Sequence, residues 1–295
     1  MESIPYDKRS GKIWFNGKPV DWADANIHIL NHGLHYASSV FEGERVYDGE
    51  IFKLEEHTNR LFYSAERMGI KIPYSQKEIN EASKKIINIQ KVQNGYVRPI
   101  VWRGSEMMAI SAQRNKIHVA IATWEWGSYF DPKLKSKGIK LNISSWRRPN
   151  PNSVPWDTKA AGLYMICTLS KHEAERQGFN DSLMLDHEGN IAEATGANIF
   201  FKNKEGELHT PIPDSFLDGI TRREVIKIAQ GKGMKVIERK IKIGEMKNFT
   251  GCFLTGTAAE ITPVSKINEY NFVTCDVISN LSDSYQALVR KKTAA

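Results

Sequence analysis

Short apolar runs separated by turn dipeptides open the chain. Ile13-Trp14-Phe15, an Asn16-Gly17 pair and then Lys18-Pro19-Val20 predict a β-hairpin. A second turn, Asp48-Gly49, divides residues 38–47 from Ile51-Phe52-Lys53. The period then becomes helical over about 55–68, with Arg60 beside Leu61 and Phe62, and Gly69 closes that helix at its C′ position. Ser75-Gln76-Lys77-Glu78 forms a capping box that starts the next helix. Strand-like runs follow at 96–103, 117–124, 139–146, 181–186, 191–193, 197–202 and 251–254. Between them, a helix carrying or following Lys159 runs to about Gln177 with Gly178 beyond it, and another opens at Gly219-Ile220-Thr221. A short helix is expected beyond about Asp276.

The stretch 27–36 breaks this regularity. His28, His32 and His35 have a spacing that would suit a metal on a helix. No Asp or Glu lies between Asn26 and Val40, and Gly33 disfavours a regular helix. Loop histidines satisfied by local hydrogen bonds, and no metal, are the expectation.

Composition narrows the class without choosing a function. At 295 residues the chain can bury a large core and is expected to form two domains. A stretch rich in Gly, Ser, Pro and Lys at 125–138 reads as the linker between a smaller domain, 1–124, and a larger one, 139–295. The net charge of +7 comes from dispersed lysines and arginines with no repeated aromatic-plus-basic module, so nucleic-acid binding is not expected. No apolar run approaches a membrane span, and the first residues lack a signal-peptide pattern. Cys167, Cys252 and Cys275 are far apart and form no CxxC pair, which suits a reduced, cytoplasmic protein.

The candidate chemistry centres on Trp156-Asp157-Thr158-Lys159-Ala160-Ala161-Gly162-Leu163-Tyr164. An amine becomes a nucleophile towards carbonyls when desolvation favours its neutral form. The three small residues after Lys159 would leave room for a flat ring to lie against the backbone. Two other turns suit an anion. One is the helix opening at Gly219-Ile220-Thr221, the other Thr255-Gly256-Thr257-Ala258-Ala259-Glu260 after a strand. A lysine and two such turns share one economical explanation, pyridoxal 5′-phosphate, which needs a Schiff-base lysine, a phosphate cup and a partner for its ring nitrogen. Glu193, at the end of a strand beside Ala194-Thr195-Gly196, supplies the carboxylate for that nitrogen.

These residues stand in a wider pattern. His35-Tyr36, Phe41-Glu42-Gly43, Tyr96-Val97-Arg98-Pro99, Trp126-Gly127-Ser128-Tyr129, Lys159, Glu193, Gly219-Ile220-Thr221-Arg222 and residues 256–263 occur in that order. Over about residues 12–267 the chain resembles the branched-chain amino acid aminotransferases, class IV pyridoxal-phosphate enzymes of the D-amino-acid-aminotransferase-like fold (fold type IV). The resemblance implies an α+β fold of two domains with the cofactor at their interface. It implies amino transfer from L-leucine, L-isoleucine or L-valine to 2-oxoglutarate, in biosynthesis or degradation, by a homodimer or a homohexamer.

Residue by residue, the resemblance implies that Lys159 carries the cofactor as a Schiff base and moves the proton at the substrate Cα. Tyr164 would meet the phenolic oxygen and Glu193 the ring nitrogen. Arg60, Ile220, Thr221 and Thr257 would hold the phosphate, with Gly219 and Gly256 shaping the turns and Leu217 against the ring. Phe41, Tyr96, Arg98, Trp126, Tyr129, Tyr164 and Ala258 would line the substrate pocket, and the amides of Thr257 and Ala258 would take the α-carboxylate. Tyr36 and the Met108–Ile110 loop would come from a neighbouring subunit. Leu163 and Ala197 depart from the asparagine and glutamate of many relatives. D-amino acid aminotransferases and aminodeoxychorismate lyases share the fold, and Tyr96-Val97-Arg98 with the aromatic pocket favours the branched-chain reading over both.

Overall fold

A computed structural model describes residues 4–127, 129–130 and 137–291. Half of the expected linker, 125–138, lies outside the described residues, namely 128 and 131–136. By internal contacts the chain divides into two compact units, Met1–Gly127 with Thr158–Gly162, and Ser128–Asp157 with Leu163–Ala295.

The first unit is built on a seven-stranded sheet of β1 (Lys12–Phe15), β2 (Lys18–Asp21), β3 (Ser39–Phe41), β4 (Glu44–Tyr47), β5 (Glu50–Ile51), β6 (Gly95–Arg103) and β7 (Ile117–Glu125). The order is β2-β1-β7-β6-β4-β5, with β3 also pairing β6. All pairings are antiparallel. The β1–β2 turn has Asn16 at φ 46° and Gly17 at φ 98°, the left-handed pair that the Asn-Gly signal demands. Two helices pack on the sheet, α2 (Leu54–Arg67) and α3 (Gln76–Gln90), burying Leu61, Ile79, Ile86, Val97, Val101 and Ile121. Ser75 caps α3 as its sequence predicts, taking the Glu78 N–H while the Glu78 carboxylate takes the Ser75 N–H.

One expectation fails locally. His32–Tyr36 forms a single helical turn, α1, despite Gly33. Tertiary bonds hold it. His32 is buried, with Nδ1 2.7 Å from Ser38 Oγ and Nε2 3.0 Å from the Ala109 carbonyl. His35 Nε2 lies 2.9 Å from the Ile29 carbonyl, and the Leu30 N–H donates to His28 Nδ1. All three histidines therefore have hydrogen-bond partners, one of them from a distant segment, and among the described residues no group of His, Cys, Asp and Glu could hold a metal.

The second unit carries a nine-stranded mixed sheet. Its strands are β8 (Ile139–Arg147), β9 (Asp181–Leu185), β10 (Ile191–Ala194), β11 (Asn198–Asn203), β12 (Leu208–Thr210), β13 (Val236–Glu238), β14 (Phe249–Gly256), β15 (Glu260–Ile267) and β16 (Tyr270–Asn271). They run β10-β9-β8-β15-β14-β11-β12-β13, with β16 beside β15 and β10 also bridging to β11. Ile139, Leu141, Ile199, Phe201, Leu254 and Val264 fill its core. The Met165–Arg176 helix packs on β8 and β9, and the Asp276–Val289 helix packs on β15 and on the Ile220–Gly231 helix. Among the described residues no helix is long and apolar enough to cross a membrane.

Candidate active site

Lys159 sits in neither a helix nor a regular strand. Its run lies extended against the first unit: Ala160 bridges Val40, the Phe41 N–H donates to the Lys159 carbonyl at 3.1 Å, and the Lys159 N–H donates to Ser64 Oγ at 3.0 Å. The neighbouring small residues serve this packing. Ala160 is buried, and a Cβ on Gly162 would already stand 3.3 Å from the Ala37 Cβ. A 3-10 turn over Ala161–Tyr164 then leads into the Met165–Arg176 helix.

The Lys159 amine is held below its ordinary pKa, chiefly by burial and then by the Arg60 guanidinium, with Glu42 and Tyr96 opposing. Its Nζ lies 5.2 Å from the centre of the Phe41 ring. Arg60 comes from α2, whose helical period puts His57, Arg60, Leu61 and Ser64 on one face. Arg60 meets Glu42 through both sides of its fork, Nε to Oε1 at 2.6 Å and Nη2 to Oε2 at 2.9 Å. His57 Nδ1 is 2.7 Å from the same Oε2. The sequence motif leaves Glu42 without a role and does not mark His57 at all; the 57, 60, 64 spacing is the one signal for it.

Arg98 is on β6, whose register sets Ile100 opposite Phe41. Residues 98 and 100 share a face, so the guanidinium lies 4.6 Å over the Phe41 ring, with Nη2 donating to Tyr96 Oη at 3.3 Å. Arg98 Nε is buried without a hydrogen-bond partner, and no acidic side chain among the described residues pairs with Arg98. Trp126 stands edge-on to Tyr96 at 4.8 Å. Gly43 is required here, because a Cβ would come within 1.8 Å of Tyr96 Oη. Tyr36, Met108 and Ile110 do not join this group through any described contact. They lie together near the His32–Ala109 bond, with Tyr36 43% and Ile110 84% exposed.

The second unit gathers the remaining candidates. Glu193, on β10, is buried; Asn198 Nδ2 donates to its Oε2 at 3.2 Å, and Arg148 Nε lies 3.5 Å from its Oε1. Arg148 is itself buried, its Nη1 directed at the Leu163 carbonyl and Cys167 Sγ. Asn198 also donates to the Leu217 carbonyl at 3.0 Å and accepts the Gly219 N–H at 3.1 Å, so one amide joins Glu193 to the turn before the Ile220–Gly231 helix. A Cβ on Gly219 would strike Asn198 Oδ1 at 2.3 Å. Ile220 and Thr221 are buried in the first helical turn, which has no side-chain cap. Gly256, Thr257 and Ala258 lead the β14–β15 turn, beside the buried, unpartnered Thr255 Oγ1. Tyr129 lies edge-on to Phe130, 6.0 Å from Lys171 Nζ, and Tyr164 ends the 3-10 turn. Arg148 and Asn198 were not legible as site residues, since nothing local in the sequence marks them as partners of Glu193.

These donor sets fit pyridoxal phosphate. An amine weakened by burial, a held carboxylate, an uncapped helix N-terminus and an orphaned hydroxyl are the groups that cofactor uses.

Comparison with known proteins agrees. The family model for class IV aminotransferases matches residues 39–267, and the chain belongs to that family, whose cofactor is pyridoxal 5′-phosphate. The relatives it matches include branched-chain enzymes. The chain is 42% identical to the probable branched-chain-amino-acid aminotransferase of Rickettsia felis over 99% of this chain and 100% of that protein. It is 40% identical to the branched-chain-amino-acid aminotransferase of Pseudomonas aeruginosa over 97% and 95%. Among solved structures, the branched-chain amino acid aminotransferase of Escherichia coli superimposes with a TM-score of 0.93 at 34% identity, covering 97% of this chain and 97% of that one.

Proposed function

We propose that this enzyme is a branched-chain amino acid transaminase, moving the amino group of L-leucine, L-isoleucine or L-valine to 2-oxoglutarate. One observation carries the substrate reading: a half-buried guanidinium without an acidic partner, Arg98, whose Nε is buried and unpartnered, lies against the apolar ring of Phe41. An aliphatic side chain needs apolar walls, whereas the second carboxylate of glutamate must not be buried unpaired. Phe41, Tyr96, Trp126, Tyr129 and Ala258 supply the first requirement and Arg98 the second.

When bound, pyridoxal phosphate supplies the electron sink and carries the amine. Lys159 binds the cofactor and then moves the proton at the substrate Cα, work that suits an amine kept below its ordinary pKa. Glu193, held by Asn198 and Arg148, keeps the ring nitrogen protonated. Tyr164 orients the phenolic oxygen and Leu217 packs on the ring. Arg60, Ile220, Thr221 and Thr257 bind the phosphate, with Gly219 and Gly256 shaping the turns. Thr257 and Ala258 amides hold the α-carboxylate.

A panel of amino donors with 2-oxoglutarate, D-isomers included, tests this. Consumption of the three branched-chain L-amino acids is expected. Preference for D-alanine, or pyruvate release from aminodeoxychorismate, would transfer the enzyme to a sister activity.

The smallest active unit is a dimer, alone or as one third of a hexamer that is a trimer of dimers, and a cytoplasmic location completes the reading. Ile29, Leu34, Tyr36 and Ile110 are 69%, 58%, 43% and 84% exposed, an apolar group that supports burial against a second copy. Tyr36, Met108 and Ile110 then complete the neighbour's pocket. Sedimentation at assay concentrations is expected to find activity only in dimers or larger species; an active monomer would remove these residues from the pocket.

A further inference from the structure

Glu42 is a wholly buried carboxylate that the transamination chemistry does not itself require. It follows β3, its N–H fixed to the Pro99 carbonyl at 2.9 Å, one residue beyond Phe41, whose N–H binds the Lys159 carbonyl. Its side chain takes both arms of Arg60 and the Nδ1 of His57, at 2.6, 2.9 and 2.7 Å. Burial by itself would push the carboxyl up, but the Arg60 charge and the hydrogen bonds outweigh it and hold the group far below the carboxylate range. His57 is held below its ordinary value, first by burial, which favours the neutral imidazole. The nearby Glu44 is buried too, with Oε2 unpartnered, and burial together with the Glu42 charge raises its carboxyl well above the usual value. Burial and the Glu42 charge thus favour the neutral form of Glu44, whereas Arg60 and His57 favour the ionised form of Glu42. The charged and titratable groups around it are Arg60 and His57 from α2, Glu44 from β4, and Lys159.

A buried, two-armed carboxylate pair fixes the plane of a guanidinium, which a single-point contact cannot do. The same negative charge favours the protonated form of Lys159, opposing the effect of Arg60. We propose that Glu42 is a positioning residue of the reaction: it sets the guanidinium of Arg60 for the cofactor's phosphate and tunes the charge state at Lys159. The phosphate half of this rests on the Arg60 assignment made above.

The test compares pyridoxal phosphate with pyridoxal, which lacks the phosphate, by fluorescence titration of the full-length apoprotein. In the holoenzyme, the pH midpoint of the cofactor's visible absorption is followed. In Glu42→Gln, affinity for pyridoxal phosphate is expected to fall about tenfold or more while pyridoxal binding stays within about twofold. The absorption midpoint is expected to move down by about one pH unit, since a negative charge that favoured the protonated form is gone. Glu42→Asp keeps the charge but shortens the reach; it should lose phosphate affinity without moving the midpoint, and it serves if Glu42→Gln does not fold. Equal loss of both ligands with a fixed midpoint in Glu42→Gln would show a structural role only and overturn the proposal, as would a Glu42→Asp enzyme that loses neither. Arg60→Gln separates the two readings. If it does not discriminate between the ligands, the Arg60 assignment and the phosphate half fall together, and the midpoint alone judges the Lys159 half.

Discussion

Lys159→Ala is expected to lower transamination at least about 10⁴-fold, because one change removes both the covalent anchor and the group that moves the Cα proton. General acid–base catalysis alone is worth about 10²–10⁴ in rate, so loss of the anchor comes on top of that. The fold should survive. The main-chain bonds of Lys159 to Ser64 and Phe41 use its N–H and carbonyl, which alanine retains. Removing a desolvated amine that burial already holds below its ordinary pKa should not lower thermal stability. Borohydride reduction of the wild-type holoenzyme followed by peptide mapping is expected to leave the pyridoxyl tag on Lys159. A tag on any other lysine would remove Lys159 from the reaction, however inactive the alanine variant proved.

The second large effect is expected at Arg98, and on one substrate only. Truncating one partner of a fully buried charge pair costs about 2–5 kcal/mol, and the half-buried Arg98 calls for the low end of that range or less. In Arg98→Gln, single-turnover return of the amine to 2-oxoglutarate should therefore slow at least tenfold, a loss of about 1.4 kcal/mol or more. Amination of the cofactor by leucine should stay within about twofold of wild type, because an aliphatic side chain brings no charge for Arg98 to meet. Stability supplies an independent check. No acidic side chain among the described residues pairs with Arg98 and its Nε is unpartnered, so deleting the charge should leave the melting temperature unchanged or raise it. A general structural role predicts the opposite pattern, with both half-reactions slowed together and the protein less stable.

Features that depend on neighbours within about four residues were readable from the chain alone. Asn16-Gly17 fixed a hairpin turn because both residues accept left-handed backbone, and Ser75 with Glu78 fixed a helix start because their polar groups satisfy each other. The ordered motifs from Phe41-Glu42-Gly43 to residues 256–263 pointed to the family, and to Lys159 and Glu193 as the proposed chemical residues. Tertiary structure decided what those residues touch. Gly33 disfavours a helix locally, yet a turn forms at His32–Tyr36 because buried His32 is bonded to Ser38 and to Ala109, 77 residues away. Glu42 meets Arg60 across 18 residues and Lys159 meets Ser64 across 95, pairings made by strand register and helix packing. Arg148 and Asn198 became partners of Glu193 in the same way. Backbone propensity acts over a turn or two, whereas burial and charge pairing act through space between segments brought together only when the sheets form. The lysine was therefore legible as a residue, and the burial and the charges that hold its amine below the ordinary pKa were not.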